Sequence, residues 1–363
     1  MKKALVMLLA CALVLITGCT TRSNQEQSTQ TNNQEETEMN KAVQIELGNF
    51  IHYDQGQNFV FNACMAKLIE CLGGDITLYT YDFFAGVGGD DFVMCYGDND
   101  VYNESVSTCA DTKAFLARTF GILKLPYTYV SANEFNQNKE QYVTMLSDYI
   151  GRGIPVLTKG TGPNTGYALV FSLDGTQMKS SYGEASSPNT FQLNDEIPLD
   201  FVFIDSLPQY ESLADVYRQS VLQIPSLITA PKSDKGVYYG AQAYEQWASD
   251  IENGRYDQYT ADTFDAWKNY TIYVCNLATN GGHGRAFLQK AAELNPDLTM
   301  IPTIIELYWN NETLWKGEGG LESVGGGFNV TLETLQDKEK RAVIADIIRK
   351  FIPYQQQVVA CFA

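Results

Sequence analysis

Apolar side chains follow four successive rhythms along this chain. Ala4 to Thr17 is uncharged and apolar throughout, a run of about 14 residues and too short to span a bilayer. Thr20 to Lys41 is rich in Gln, Asn, Thr, Ser and Glu and contains no aromatic residue. Such a segment cannot bury enough apolar surface to offset its ordering entropy, so it reads as a flexible tether. A helical rhythm follows. Phe61, Cys64, Leu68 and Leu72 recur at helical spacing between Asn58 and Leu72, and Gly73-Gly74 ends the run. Thr108 to Leu123 and Asn136 to Tyr149 repeat that spacing, the latter closed by Gly151-Arg152-Gly153.

The rhythm then changes to short strands. Ile154 to Leu157, Tyr167 to Leu173, Thr176 to Ser180 and Phe201 to Ile204 are apolar or alternating runs, with Asp174-Gly175 as a turn. Helices first and antiparallel strands afterwards predict an α+β domain over 43–230. Pro231 to Gly236 reads as a boundary, and helical spacing resumes over 237–253, 261–278, 283–294, 302–315 and 335–352. A mostly helical second domain over 231–363 is therefore expected. It holds all four tryptophans, which would glue its helices together. Gly317 to Gly327 is a glycine-rich loop within it.

The amino terminus supplies an address. Lys2 and Lys3 precede the apolar run, and Leu15-Ile16-Thr17-Gly18-Cys19 closes it with small residues before a cysteine. This resembles a bacterial lipoprotein signal, which implies a signal peptide at 1–18, lipidation of Cys19 and a tether over 19–42. The expected location is the extracytoplasmic face of the cell membrane, with the membrane reached through the lipid on Cys19.

Charge narrows the partners. The formal net charge is −18, and loss of 1–18 removes two lysines and no acid, deepening it to −20. Nucleic-acid and anionic-lipid surfaces reward clustered Lys and Arg, so no nucleic-acid partner is expected. Cys64, Cys71, Cys95, Cys109, Cys275 and Cys361 follow Cys19. Disulfides and buried free thiols both remain open for an exported domain of this size.

Metal and cofactor chemistry finds little support. His52 and His283 are the only histidines and no Cys-x-x-Cys occurs, so a zinc site of several imidazoles is excluded. Asp90, Asp91, Asp98 and Asp100 are dense enough for calcium, yet Tyr102 breaks the helix-loop-helix ligand pattern. A solvated acidic loop is expected there. Gly160 to Gly166 lies between two strands, where a phosphate loop would need a helix, and reads as a hairpin loop. No metal and no cofactor is implied.

The first domain has a recognisable order: a helix with Cys64 ending in Leu72-Gly73-Gly74, then the glycine-rich loop Phe83 to Phe92. Gly153-Ile154-Pro155-Val156, Gly166-Tyr167-Ala168-Leu169-Val170 and Phe203-Ile204-Asp205-Ser206 follow. This resembles the papain-like domains of bacteriocin-processing cysteine peptidases and the amino-terminal domain of the butirosin-biosynthesis acyltransferase. Gly240 to Trp247 and the helical stretch after it resemble the companion region of some such proteins. The resemblance implies a helix-borne cysteine nucleophile, an activating histidine opening a later strand, and an orienting acid. Residue by residue, the cysteine falls on Cys64, the acid on Asp205 and the histidine slot on Tyr167, which is no base near neutral pH.

The leading expectation is therefore a degenerate papain-like cleft that binds a small molecule or peptide, lined by Tyr81, Phe83, Phe84, Phe92 and Tyr167. One alternative is a cysteine acyltransferase or peptidase using Cys64 and Asp205 with His283, or else His52, as base. Another is a solute-binding lipoprotein of a transporter, which would show two α/β lobes.

Overall fold

The alternating runs in the first half assemble into one antiparallel sheet. The computed structural model describes residues 42–97, 105–160, 166–184, 186 and 188–363. In chain order the strands are β1 (Val43–Gln44), β2 (Cys95–Gly97), β3 (Thr128–Val130), β4 (Val156–Gly160), β5 (Tyr167–Asp174), β6 (Gln177–Ser181), β7 (Asn189–Gln192), β8 (Leu199–Phe203) and β9 (Val237–Tyr239). Seven of them pair in the order β3-β8-β4-β5-β6-β7, with β1 also on β5. The fold is α+β, as the order of elements predicts.

Period-two alternation gives the sheet two apolar faces. Val130, Val156, Val170, Phe201 and Phe203 face Phe135, Leu146 and Ile150 of the helices Ala132–Gln137 and Lys139–Gly151. Leu157, Tyr167, Leu169, Val202 and Ile204 face the other way, into the cluster formed by α1 (Val60–Cys71) and α2 (Tyr81–Gly88).

The glycine-rich stretch that reads as a loop is in fact α2. The Thr80 hydroxyl accepts the Phe83 N–H at 3.2 Å, and Gly89 ends the helix at φ +91°. Gly86 serves packing, since a Cβ there would lie 2.1 Å from the Phe287 ring. The predicted 108–123 helix is broken in two. Asp111 caps a fresh start at Thr112–Leu123 by accepting the Ala114 N–H at 2.9 Å.

The second half is helical apart from β9, and residues 40–363 form one compact unit. Pro231 to Gly236 is accordingly a turn into β9, with the Gly236 N–H on the Ser233 carbonyl at 2.9 Å. A pair of three-residue strands would not hold alone. The antiparallel β2–β9 pair is held because Met94 and Tyr96 bury themselves among Trp247, Tyr273 and Val274. The Tyr96 hydroxyl also donates to Asp250 at 2.8 Å, beside the Arg255–Asp250 ion pair at 2.9 Å.

Aromatic glue describes two tryptophans of four. Trp247 and Trp315 are buried, whereas Trp267 and Trp309 are 41% and 53% exposed. The six cysteines after Cys19 are all free thiols, so the disulfide option falls away. Among the described residues no helix is long and apolar enough to cross a membrane. The signal-like segment, Cys19 and the tether lie outside the described residues.

Candidate functional site

The site is a cleft of about 800 Å3 at the amino-terminal end of α1. The floor comes from the sheet half. Gly56 closes a short 3-10 turn at φ +79°, and the Asn58 amide donates to its carbonyl at 3.0 Å. The chain then enters α1 at Phe59, whose N–H is taken by the Tyr81 hydroxyl at 3.0 Å. Asn58, Val60 and Thr108 line this end, with Gly166, the residue before β5. Tyr53 and Tyr182 stand at its edge.

The facing wall is helical. Trp267 opens a π-helical turn, Trp267–Thr271, that runs into the helix Ile272–Gly281, whose Ile272 and Ala278 face the cleft. Trp315 and Lys316 end the helix Ile301–Lys316, and Glu322 and Phe328 come from the glycine-rich loop and the residue just past it. The surface is mostly apolar, with hydroxyls, one amide, one ammonium and one carboxylate. Neither a cysteine nor a histidine is among these wall residues.

The residues expected to do chemistry lie elsewhere. Cys64 sits one turn inside α1 with none of its surface exposed. Burial pushes its thiol well above the ordinary range, and no neighbouring cation offsets that. Tyr167 does open β5, but its ring is packed at 4.8 Å from Phe61 and 6.4 Å from Phe115. The Lys159 ammonium lies 4.9 Å from its ring centroid. The Tyr167 hydroxyl is buried without a hydrogen-bond partner, and burial raises its pKa well above the usual value.

Asp205 lies just past β8, exposed and beside Tyr149, whose phenol is raised by burial and then by the Asp205 charge. Tyr149 belongs to the cluster on the far face of the sheet from Cys64. Alternation along β8 puts Ile204 on the α1 side and Asp205 on the other, so Asp205 is not placed to orient a base for Cys64.

His283 is engaged too. Its Nδ1 is 2.5 Å from Asp82 Oδ1. Burial alone would lower its pKa, but the Asp82 hydrogen bond and charge, with the Gly56 and Gln55 carbonyls, raise it. His52 is exposed and borders a separate cavity of about 240 Å3, together with Tyr81.

Phe83, Phe84, Phe92 and Tyr167, expected as cleft lining, are buried core residues, as is most of Tyr81. Their side chains belong to the apolar cluster that also takes in α1, α2 and the helix His283–Leu294. The residues that do line the cleft went unnoticed in the sequence. The sequence offered only partial signals for that wall, the tryptophans Trp267 and Trp315 and the glycine-rich loop Gly317 to Gly327.

The acidic stretch also differs from its solvated expectation. Asp90 and Asp91 are fully buried, while Asp98 and Asp100 lie outside the described residues. Asp90 accepts the Ser107 N–H at 2.9 Å, the Ser107 hydroxyl at 2.7 Å and the Asn62 amide at 3.1 Å. Both carboxylate oxygens of Asp91 lack a partner, and burial, then the charges of Asp82 and Asp90, push its pKa well up. Among the described residues no group of three or more His, Cys, Asp or Glu is arranged to hold a metal ion. Lys159 pairs antiparallel with Tyr167, and the expected hairpin loop between them falls on 161–165, which lie outside the described residues.

No family model matches this chain, and no curated protein matches it.

Proposed function

We propose that this protein binds a small molecule or peptide in the cleft at the start of α1, without covalent catalysis, while held at the extracytoplasmic face of the cell membrane by lipid on Cys19. One observation carries the binding part. The start of α1 opens onto a concave, largely apolar cleft whose volume suits a small ligand, and no thiol or imidazole is among its described wall residues. The anchoring part rests on Leu15 to Cys19 and the polar segment after them.

Nothing in the geometry favours a cysteine acyltransferase or peptidase. Cys64 is sealed, Asp205 is on the wrong face and His283 is held by Asp82. The transporter-type binder would need a second α/β lobe, whereas residues after β9 are helical.

Ligand-observed NMR with a panel of dipeptides and small aromatic molecules tests the cleft. Ala278→Trp, on a helix wall facing it, should abolish the contacts while leaving the melting temperature within a few degrees. Identical signals from both proteins would place binding elsewhere. Alkylation of Cys64 at pH 7.5 is expected to be at least about a hundredfold slower than in denaturant. A fast native rate would reopen the enzyme reading.

A further inference from the structure

We propose that the occupant of this cleft is an organic cation, a quaternary or protonated amine carried on an apolar body, held by aromatic faces and the Glu322 carboxylate. The inference rests on the cleft being a binding site and names the chemistry of its ligand. Aromatic rings dominate the walls: Tyr53, Tyr182, Trp267, Trp315 and Phe328. Two of them are presented rather than packed. Trp267 is 41% exposed and Tyr53 47% exposed. The Trp267 side chain has no ring, cation or hydrogen-bond partner among the described residues, and it is projected by a π-helical turn, a device concentrated at functional sites. The face of such a ring attracts a cation, and tryptophan does so best.

Charge selects the same class. Glu322 is exposed on the cleft wall and makes no ion pair among the described residues. Glu184, also exposed, is near enough to Tyr53 that its charge adds to burial in raising the phenol. Lys316 is the one basic side chain among the wall residues. Its ammonium is 3.2 Å from Glu312 and 4.7 Å from the Trp315 ring centroid, so it is already neutralised, and it shows a cation seated on one of these rings. The whole chain carries −18, which raises the local concentration of cations and disfavours anionic ligands.

Two probes of one shape separate charge from apolar fit: choline and its uncharged isostere 3,3-dimethylbutan-1-ol. Tryptophan fluorescence of the full chain is titrated with each, in the wild type, Glu322→Gln and Trp267→Leu. Both substitutions fall on exposed side chains, and unchanged far-ultraviolet circular dichroism and melting temperature confirm the fold. Choline is expected to bind at least about tenfold more tightly than the isostere. Glu322→Gln should cut choline affinity about threefold or more without moving the isostere, and Trp267→Leu should weaken choline and remove most of the signal. Equal binding of the two probes would overturn the cation assignment while leaving the cleft a binding site. A preference for choline that survives both substitutions would overturn the placement at this wall. Binding of neither probe, in a protein whose dipeptide and aromatic contacts are lost on Ala278→Trp, would overturn the ligand class but keep the cleft. If those contacts are also absent, the cleft reading itself fails.

Discussion

Cysteine-dependent acyl transfer needs a thiol and an imidazole in contact, and this molecule keeps the two in different surroundings. Around Cys64 there is a thiol without a base, wholly desolvated between α1 and the sheet. At the corner of α2 and the helix His283–Leu294 there is an imidazole–carboxylate pair, His283 with Asp82, and no thiol. The first region is a packed apolar core, and the second has an imidazole occupied in holding backbone. Tyr167 shows how the first region is packed. Its ring lies against Phe61 of α1, at 4.8 Å.

Placing an imidazole at Tyr167 is the harshest way to break that contrast. Tyr167→His should cost about 3 kcal/mol in urea unfolding, because it leaves a void beside Phe61 and Phe115 and buries ring nitrogens without partners. Cys64 should alkylate no faster than in the wild type. A rate rise of tenfold or more on Tyr167→His would mean that the slot does address Cys64, and the two regions would no longer differ in kind.

Asp91 sharpens the contrast from the buried side. Its carboxyl is raised in the fold by burial and by Asp82 and Asp90, so the unfolded chain loses its proton first. Stability from this group is intact below about pH 4 and falls as pH rises toward its folded value. Asp91→Asn should therefore stabilise the protein at pH 7 by about 2 kcal/mol and flatten the decline in melting temperature between pH 4 and 7. A destabilising Asp91→Asn would show instead that a charged carboxylate is wanted there.

The sheet and the helical half were legible because their signals are periodic. Tyr167 to Leu173 anticipates β5 closely, and 283–294 coincides with a helix. Legibility failed where one residue type serves two purposes. Gly86, Gly88 and Gly89 look like a loop, yet Gly86 makes room for Phe287 inside α2, and only Gly89 ends the helix. Asp90 and Asp91 look like a solvated run, yet a fold that supplies Ser107 and Asn62 as donors can bury one of them satisfied. The site was missed for a different reason. Its walls come from Asn58, Gly166, Trp267 and Trp315, which are far apart in sequence and share no spacing. Cys64 and Asp205 drew notice through a resemblance in the order of motifs, which carries no information about which face of a helix or strand they occupy.

His283 gives the smallest effect and the finest reading of the second region. Its pKa is raised above the ordinary 6.5, because the contacts to Asp82 and to the Gly56 and Gln55 carbonyls outweigh burial. The group thus contributes its full stability below about pH 6.5 and loses it as pH rises through the higher folded value. Tyr81 packs beside the ring and Asp82 is the titratable group bonded to it. His283→Gln should cost about 1 kcal/mol at pH 6 and distinctly less at pH 9. Since Gly56 and Tyr53 border the cleft, the same substitution should loosen that edge and raise amide exchange over 53–57. A pH-independent cost would mean that the imidazole acts by shape alone. A large loss of Cys64 protection on His283→Gln would join the two regions after all.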